Sequence, residues 1–291
     1  MRPVGQHVAE ALSDDDAAWD ELLLLAQQPP SVLRDADPRS FGRLPEERAA
    51  AGGGDISAPS LRDLYLPLLE AGPTVAVAHL GQSLDGRIAT ASGASHYVTG
   101  EQDILHNHRM RALCDAVLIG AGTVRHDDPQ LTVRLCSGRN PMRVVVDTDR
   151  RLDIGYQVFR DASAATLLLT AADKATGTAT GTAARHGTAE VVGIPRLGQG
   201  LCPQAIRRTL AARGIARLFI EGGGITVSRF LEAGGLDFLQ VTIAPLIIGS
   251  GRMGISLPQV RTLSESIRPP VRYFRFGADL MVECDLRGMG A

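Results

Sequence analysis

From Pro73 onward, short apolar runs alternate with segments of helical period. Strands are expected at Thr74 to Leu80, 116–119, 143–147, 165–169, Val191 to Gly193 and Arg217 to Ile220. Helices are expected between them, at Gly100 to Arg111, Cys202 to Arg213 and 225–234. FLQVTIAPLII (238–248) reads as one long buried strand, and Tyr273 to Phe276 with Leu280 to Leu286 as a closing antiparallel pair. SLDGRIAT holds a tight turn, with Gly86 suited to positive φ, and then a second short strand. DRRLDIGYQVFRDAS is rich in turn residues. Residues 170–188, rich in Thr, Ala and Gly and without period, read as a flexible loop and a helix of unset bounds. Apolar strands alternating with helices imply an α/β domain whose sheet is mostly parallel and covered on both faces.

Residues 1–70 follow another pattern. Asp14-Asp15-Asp16 ahead of AAWDELLLLAQQ predicts an N-capped helix ended by Pro29-Pro30. DADPRSFGRLPEERAAAGGGD alternates Pro, Gly and charge as a linker does, and Leu61 to Leu69 predicts a second, short helix. The expected division is a helical and loop extension over 1–70 and a main domain over 71–291.

Composition narrows the partners. The 291 residues are 44% hydrophobic and 21% charged, as in ordinary globular proteins. A formal net charge of −2 and 4% aromatic residues give no reason to expect nucleic acid or an acidic membrane surface as partner. Cys114, Cys136, Cys202 and Cys284 show no C-x-x-C spacing, which fits thiols in a reducing cytoplasm better than disulfides or a zinc site. No apolar leader and no run of 18 apolar residues is present, so neither export nor a membrane span is expected.

The densest polar pattern is RALCDAVLIGAGTVRHDDPQLTVR, Arg111 to Arg134. A buried strand empties into Gly120, Gly122 and Thr123, then Asp127-Asp128-Pro129, with an arginine at each end. A Gly-x-Gly turn opening a helix lets backbone N–H groups approach an anion. Glu221-Gly222-Gly223-Gly224 repeats the logic at another strand end: three glycines suit a phosphate cradle, or else a turn needing positive φ. Asp127-Asp128 before Pro129 fits a capped turn as well as chemistry. Arg150 and Arg151 after Asp147-Thr148 suit a 2′-phosphate or a solvated turn. His79, inside an apolar strand just ahead of Gly81, is either a satisfied core histidine or a site residue. His106 and His108, two apart on a helix, point to different faces, and no metal is expected.

Four blocks, VAHLGQSLDGRIATASGASHYVTG, LIGAGTVRHDDPQLTVR, RVVVDT and FIEGGGITVSRFLEAGGLDFLQVTIAPLIIGSG, resemble the riboflavin-biosynthesis pyrimidine reductases, the reductase domain of the bifunctional deaminase-reductase. The resemblance runs from about Val75 to Cys284, and the deaminase half is absent. It implies a dihydrofolate reductase-like fold: a mostly parallel central sheet flanked by helices, a closing antiparallel strand pair and, here, a helical N-terminal extension. It also implies reduction of 5-amino-6-(5-phosphoribosylamino)uracil, with hydride passing from NADPH to C1′ of the ring-opened ribosyl imine.

Carried over by motif, Ser95, Arg111 and Arg134 would hold the substrate phosphate, while His79, Glu221 and the backbone near Leu131 would face the substrate. Gly81, Tyr97, Thr123, Asp127, Thr148, Arg151, Gly222, Gly223, Gly224, Ile225 and Thr226 would hold the cofactor. Asp127 and Glu221 are the candidate catalytic residues, Asp127 for proton movement. A cytoplasmic homodimer is expected, the run 238–248 being long and apolar. Two departures stand out. Family members usually carry Lys or Asn where this chain has His79, and Tyr97 replaces a commoner Trp. They leave open a paralogue reducing another heterocycle or imine, or a non-catalytic nucleotide-binding subunit.

Overall fold

The computed structural model describes residues 13–28, 60–175 and 184–289. The chain divides into two compact units, 1–73 and 74–291. The first unit contains α1 (Ser13–Ala26) and α2 (Leu61–Leu69). The hydroxyl of Ser60 caps α2 by accepting the Asp63 N–H at 3.1 Å. The two helices pack through Trp19 and Tyr65, edge to face at 5.9 Å, and Arg62 donates to Glu21 at 2.5 Å. The expected linker and Pro29-Pro30 lie outside the described residues.

The second unit begins with β1 (Val75–Ser83), β2 (Arg87–Thr90), α3 (Glu101–Leu113), β3 (Ala116–Gly120), α4 (Ala121–Asp127) and β4 (Met142–Val146). Next come α5 (Gln157–Arg160), β5 (Thr166–Ala171), β6 (Arg185–His186), β7 (Ala189–Ile194), β8 (Arg196–Leu197), β9 (Gly200–Leu201) and α6 (Pro203–Ala211). The chain closes with β10 (Arg217–Glu221), α7 (Gly224–Glu232), β11 (Phe238–Ala244), β12 (Gly251–Met253), β13 (Val271–Phe276) and β14 (Asp279–Asp285). Among the described residues, one sheet takes the order β13-β14-β11-β1-β10-β3-β4-β5-β7-β6. The strands from β11 across to β7 run parallel, and β13, β14 and β6 pair antiparallel.

Strand alternation sorts the two faces. On one, Ala76, Ala78 and Leu80 join Leu118, Leu218 and Ile220 in a core closed by Ile206 and Leu210 of α6 and Phe230 of α7. α6 forms because Pro203 presets its first turn and Ala205, Ile206 and Leu210 fall on one side. The opposite face is partly polar: His79, Glu221, Gln240 and Thr242 project there, and α3 meets them with Asp103, His106 and Arg111.

Three features depart from the sequence reading. The run 238–248 is strand only to Ala244, because Pro245 has no N–H to continue the ladder. Beyond it, Ile247 is 73% exposed. The turn-rich stretch after β4 contains the short helix α5, which receives Asp128 Oδ1 on the Gln157 N–H at 2.8 Å. In the 170–188 segment, β5 reaches Ala171, a 3-10 turn follows at Ala172–Lys174, β6 occupies Arg185–His186, and 176–183 lie outside the described residues.

Gln240 is fully buried, accepts from His106 Nε2 at 2.9 Å and donates to Glu283 Oε2 at 2.8 Å. Gln240→Leu would remove the partner of His106 Nε2 and of Glu283 Oε2, while Glu283 Oε1 keeps Arg272, and each buried unsatisfied group costs about 1–3 kcal/mol. Denaturant unfolding should therefore show a loss of that order, and a variant as stable as the parent would contradict this account of the polar face.

Candidate active site

β10 ends at Glu221, in register with His79 of β1, and the Gly222 N–H donates to the His79 carbonyl at 3.2 Å. The backbone then turns through Gly222 (φ 69°) and Gly223 (φ 78°), a region that L side chains disfavour. Gly224 is needed for a different reason. A Cβ there would lie 2.5 Å from the Gly254 carbonyl and 2.6 Å from that of Met253, both backbone atoms that cannot swing aside. Beside this turn, a Cβ at Gly120 would overlap the Thr226 hydroxyl, and one at Gly223 would lie 2.9 Å from Thr123 Oγ1. The starts of α4 and α7 thus approach across a gap with no room for further side chains. At Gly122 and Gly222, by contrast, a Cβ would meet nothing within 4 Å, so the space beside both backbones is open. The result is a glycine-lined crevice at the C-terminal edge of a parallel sheet, where α7 begins without a side-chain cap.

The two arginines flanking the polar stretch are brought together but do different things. Arg111 is buried; its Nε donates to Glu221 Oε2 at 2.6 Å, its Nη2 to Oε1, and its Nη1 to the Thr132 carbonyl at 3.0 Å. Burial alone would weaken its hold on the proton, but the Glu221 carboxylate outweighs that and raises its pKa. Arg134 is exposed, with Nη1 on Thr132 Oγ1 at 2.6 Å and on Gln130 Oε1 at 3.1 Å. Partial burial and the nearby Arg111 charge lower its pKa. Among the described residues it has no carboxylate partner, so its charge remains available to an anion. His108 fixes the local backbone by accepting the Arg134 N–H at Nδ1, 2.9 Å. Burial and then Arg111 bring the His108 pKa down to about 4.

Ser95 donates to Asp127 Oδ1 at 3.3 Å, which joins two of the expected site residues, whereas Asp128 serves α5 instead. Leu131 is buried with φ 56°. Gly81 leaves room for Thr99: a Cβ there would lie 2.7 Å from Thr99 Cγ2. Tyr97 is 86% exposed at φ 63°, and Ile225, in the first turn of α7, is also exposed. Thr148 follows β4, its carbonyl accepting the Ala171 N–H at 2.9 Å. Arg151 pairs with Asp149 at 3.2 Å, and Arg196 reaches the same carboxylate at 2.8 Å.

His79 proves to be the centre of a buried polar knot. Its Nε2 lies 3.0 Å from Asp103 Oδ1 and 3.2 Å from Thr242 Oγ1; Thr242 donates to Asp103 Oδ1 at 2.6 Å and Thr99 to Oδ2 at 2.7 Å. Burial disfavours the imidazolium, but the Asp103 carboxylate prevails and raises the His79 pKa. Burial likewise opposes ionisation of Asp103, and the His79 charge overcomes it, holding the carboxyl below its usual range. His106, with its ring 5.3 Å from that of His79, is pushed down to about 3 by burial and then by the His79 charge. Sequence reasoning missed Asp103, Thr99 and Thr242. The available signal was the helical spacing of Asp103, His106 and Arg111, which lines one side of α3 with polar groups where an apolar stripe is usual.

Residues 74–273 match the family model described as the RibD C-terminal domain. The chain belongs to this family. It is 32% identical over 218 residues to the 2,5-diamino-6-ribosylamino-4(3H)-pyrimidinone 5′-phosphate reductase of Methanothermobacter thermautotrophicus, covering 73% of this chain and 98% of that one. It is 31% identical over 188 residues to the riboflavin biosynthesis protein RibD of Aquifex aeolicus, covering 64% of this chain but only 50% of that protein. Among solved structures, the Thermotoga maritima diaminohydroxyphosphoribosylaminopyrimidine deaminase/5-amino-6-(5-phosphoribosylamino)uracil reductase is 27% identical. It superposes with a TM-score of 0.59, covering 77% of this chain and 59% of that one. The dihydrofolate reductase-like α/β fold expected from the sequence is therefore the fold observed.

The two neighbouring imidazoles should titrate in opposite directions from 6.5. Because folding raises His79, its stabilising contribution is complete below pH 6.5 and is lost as pH climbs through the folded value. Folding lowers His106 to about 3, so its contribution is lost as pH falls from about 6.5 towards 3. Histidine-resolved NMR titration should find His106 still neutral at a pH where His79 is fully charged; two midpoints near 6.5 would contradict the geometry.

Proposed function

We propose that this protein uses NADPH to reduce a pyrimidine carrying a phosphoribosylamino group, converting the ring-opened ribosyl imine to the ribityl amine. The reading rests on one juxtaposition: an open glycine turn after Glu221, and Arg134, an exposed cation close enough to Arg111 and Glu221 to feel their charges but in no ion pair among the described residues. The glycines fit a dinucleotide because they let its pyrophosphate approach the start of α7 with no side chain between. When bound, the nicotinamide supplies the hydride that adds to C1′.

The chain's own residues do the rest. Arg134 and Ser95 grip the substrate phosphate, Arg134 through charge-assisted bonds. Arg111 holds Glu221 in one orientation by a two-point clasp, so that a rigid carboxylate faces the substrate. Asp127, oriented by the Ser95 hydroxyl, assists proton movement to the imine nitrogen. Gly81, Thr123, Thr226 and Gly222 to Gly224 line the crevice, Tyr97 and Ile225 flank it, and Thr148 with Arg151 receives the adenosine end, Arg151 favouring a 2′-phosphate. His79 and the Leu131 backbone face the heterocycle. Reduction of a related heterocycle in another pathway is the second reading, favoured by the His79–Asp103 pair, whose short, flat ring presents a single N–H at a different place from the head group of a lysine and, unlike an asparagine amide, no acceptor.

The division proposed is an N-terminal extension over 1–70, whose described residues contain α1 and α2, and a reductase domain over 71–291. Apolar side chains exposed after β11, among them Leu246, Ile247 and Leu263, support a homodimer. Four free thiols support a reducing, cytoplasmic setting.

Arg134→Ala should raise the KM for the phosphorylated substrate about 10- to 100-fold, the worth of a lost charge-assisted bond, with the KM for NADPH little changed. Equal losses for both would contradict the phosphate role. Arg151→Ala should weaken NADPH and leave NADH unaffected; steady-state kinetics with each dinucleotide would show otherwise if the 2′-phosphate lies elsewhere.

A further inference from the structure

Asp103 lies on the sheet-facing side of α3 and is 1% exposed. Its carboxylate is anchored from three directions. Oδ1 takes the His79 imidazole of β1 and the Thr242 hydroxyl of β11, and Oδ2 takes the Thr99 hydroxyl ahead of α3. Gly81 makes this possible, since a Cβ there would lie 3.3 Å from Asp103 Oδ2 and closer still to Thr99. A carboxylate bound in this way has no remaining freedom to turn.

The consequence falls on His79. Both of its protein bonds are made at Nε2, and its Nδ1 edge has none among the described residues. His79 is also the residue at which β1 and β10 stop pairing and the glycine turn begins. We propose, on the reading of the site given above, that Asp103 is a positioning residue which fixes the His79 ring with Nδ1–H turned to the crevice, and that the substrate group recognised there is a hydrogen-bond acceptor on the heterocycle, a ring carbonyl oxygen or an unprotonated ring nitrogen.

The charges around the ring agree with this. From α3 it faces Asp103 and the neutral His106; from β10 it faces Glu221, itself clasped by Arg111; from β11 it faces the uncharged Gln240 and Thr242. Two carboxylates against one paired arginine favour the doubly protonated ring, and in that form both nitrogens donate. A neutral ring with its proton on Nε2 would present an acceptor at Nδ1 instead. The ionisation set by Asp103 thereby decides which kind of ring edge the site accepts.

The test uses the full chain, nitrogen-15-labelled on histidine, as the parent, Asp103→Asn, Asp103→Glu and Thr242→Val. Asp103→Asn should lower the His79 titration midpoint by about one pH unit or more, Thr242→Val by less, and Asp103→Glu should restore most of it. The kinetic arm uses 5-amino-6-(5-phosphoribosylamino)uracil and NADPH. At pH values above the parent's own His79 midpoint, Asp103→Asn should raise the substrate KM about tenfold for every pH unit by which the midpoint has fallen. The kcat and the KM for NADPH should stay near the parent's. An unmoved His79 midpoint in both Asp103→Asn and Thr242→Val overturns the proposal, as does a lowered midpoint with an unchanged substrate KM. If the parent fails to turn over the ribotide, the proposed reaction is what fails, and the midpoints still decide whether Asp103 governs His79.

Discussion

A carboxylate pressed between a helix and a parallel sheet is stable only when its oxygens are matched by donors, because desolvation of an unpaired charge exceeds anything packing returns. Helix α3 carries this constraint along most of its length. At its first turn Asp103 is matched by His79, Thr99 and Thr242; at its middle His106 is matched by Gln240; at its end Arg111 matches Glu221. The far face of the sheet is an ordinary aliphatic core, which supplies the apolar burial that this polar seam does not. What the seam adds is register. Ionic and hydrogen-bonded contacts tolerate only one placement of α3 along the strands, whereas an apolar interface would admit several.

That placement determines the crevice. Glu221 is the last residue of β10, and its clasp by Arg111 holds the strand end from which Gly222 departs. Gly222 in turn is tied to the His79 carbonyl, on the same residue whose ring Asp103 fixes. The glycines therefore begin from a rigid edge, although they themselves carry no side chain to hold them. Two are required by positive φ and one by the nearness of the Met253 and Gly254 carbonyls, which belong to the segment after β11. Short strand β12 closes this arrangement by pairing with β2 across the same edge. Rigid polar groups below and bare backbone above are what a site needs if it is to align two reacting carbons while keeping water out.

Much of this was legible in the residues. The alternation of apolar runs with helical periods located most of the parallel strands to within two residues, β1 running three residues past the expected Leu80, and α2 falls at Leu61–Leu69 as its pattern implied. The glycine turn after β10 was legible because three consecutive glycines have few uses. The end of β11 was misjudged: apolar residues continue past Pro245, and hydrophobicity reports burial tendency without reporting whether a backbone N–H exists. β12, three residues long, is created by its partner strand and has no local period of its own. Asp103 was illegible for a further reason. Its meaning depends on Thr242, 139 residues away in sequence, and on an absent Cβ at Gly81. Spacing along one helix marks a polar stripe, but only the folded sheet shows what answers it.

The direct test of the account is a crystal structure of the full chain soaked in NADPH. The pyrophosphate is predicted to lie across Gly222 to Gly224 against the first turn of α7, with the nicotinamide directed towards Glu221 and His79. Dinucleotide bound elsewhere on the molecule, or a crevice left empty at saturating concentration, would contradict the claim that the polar seam exists to hold this cradle in place.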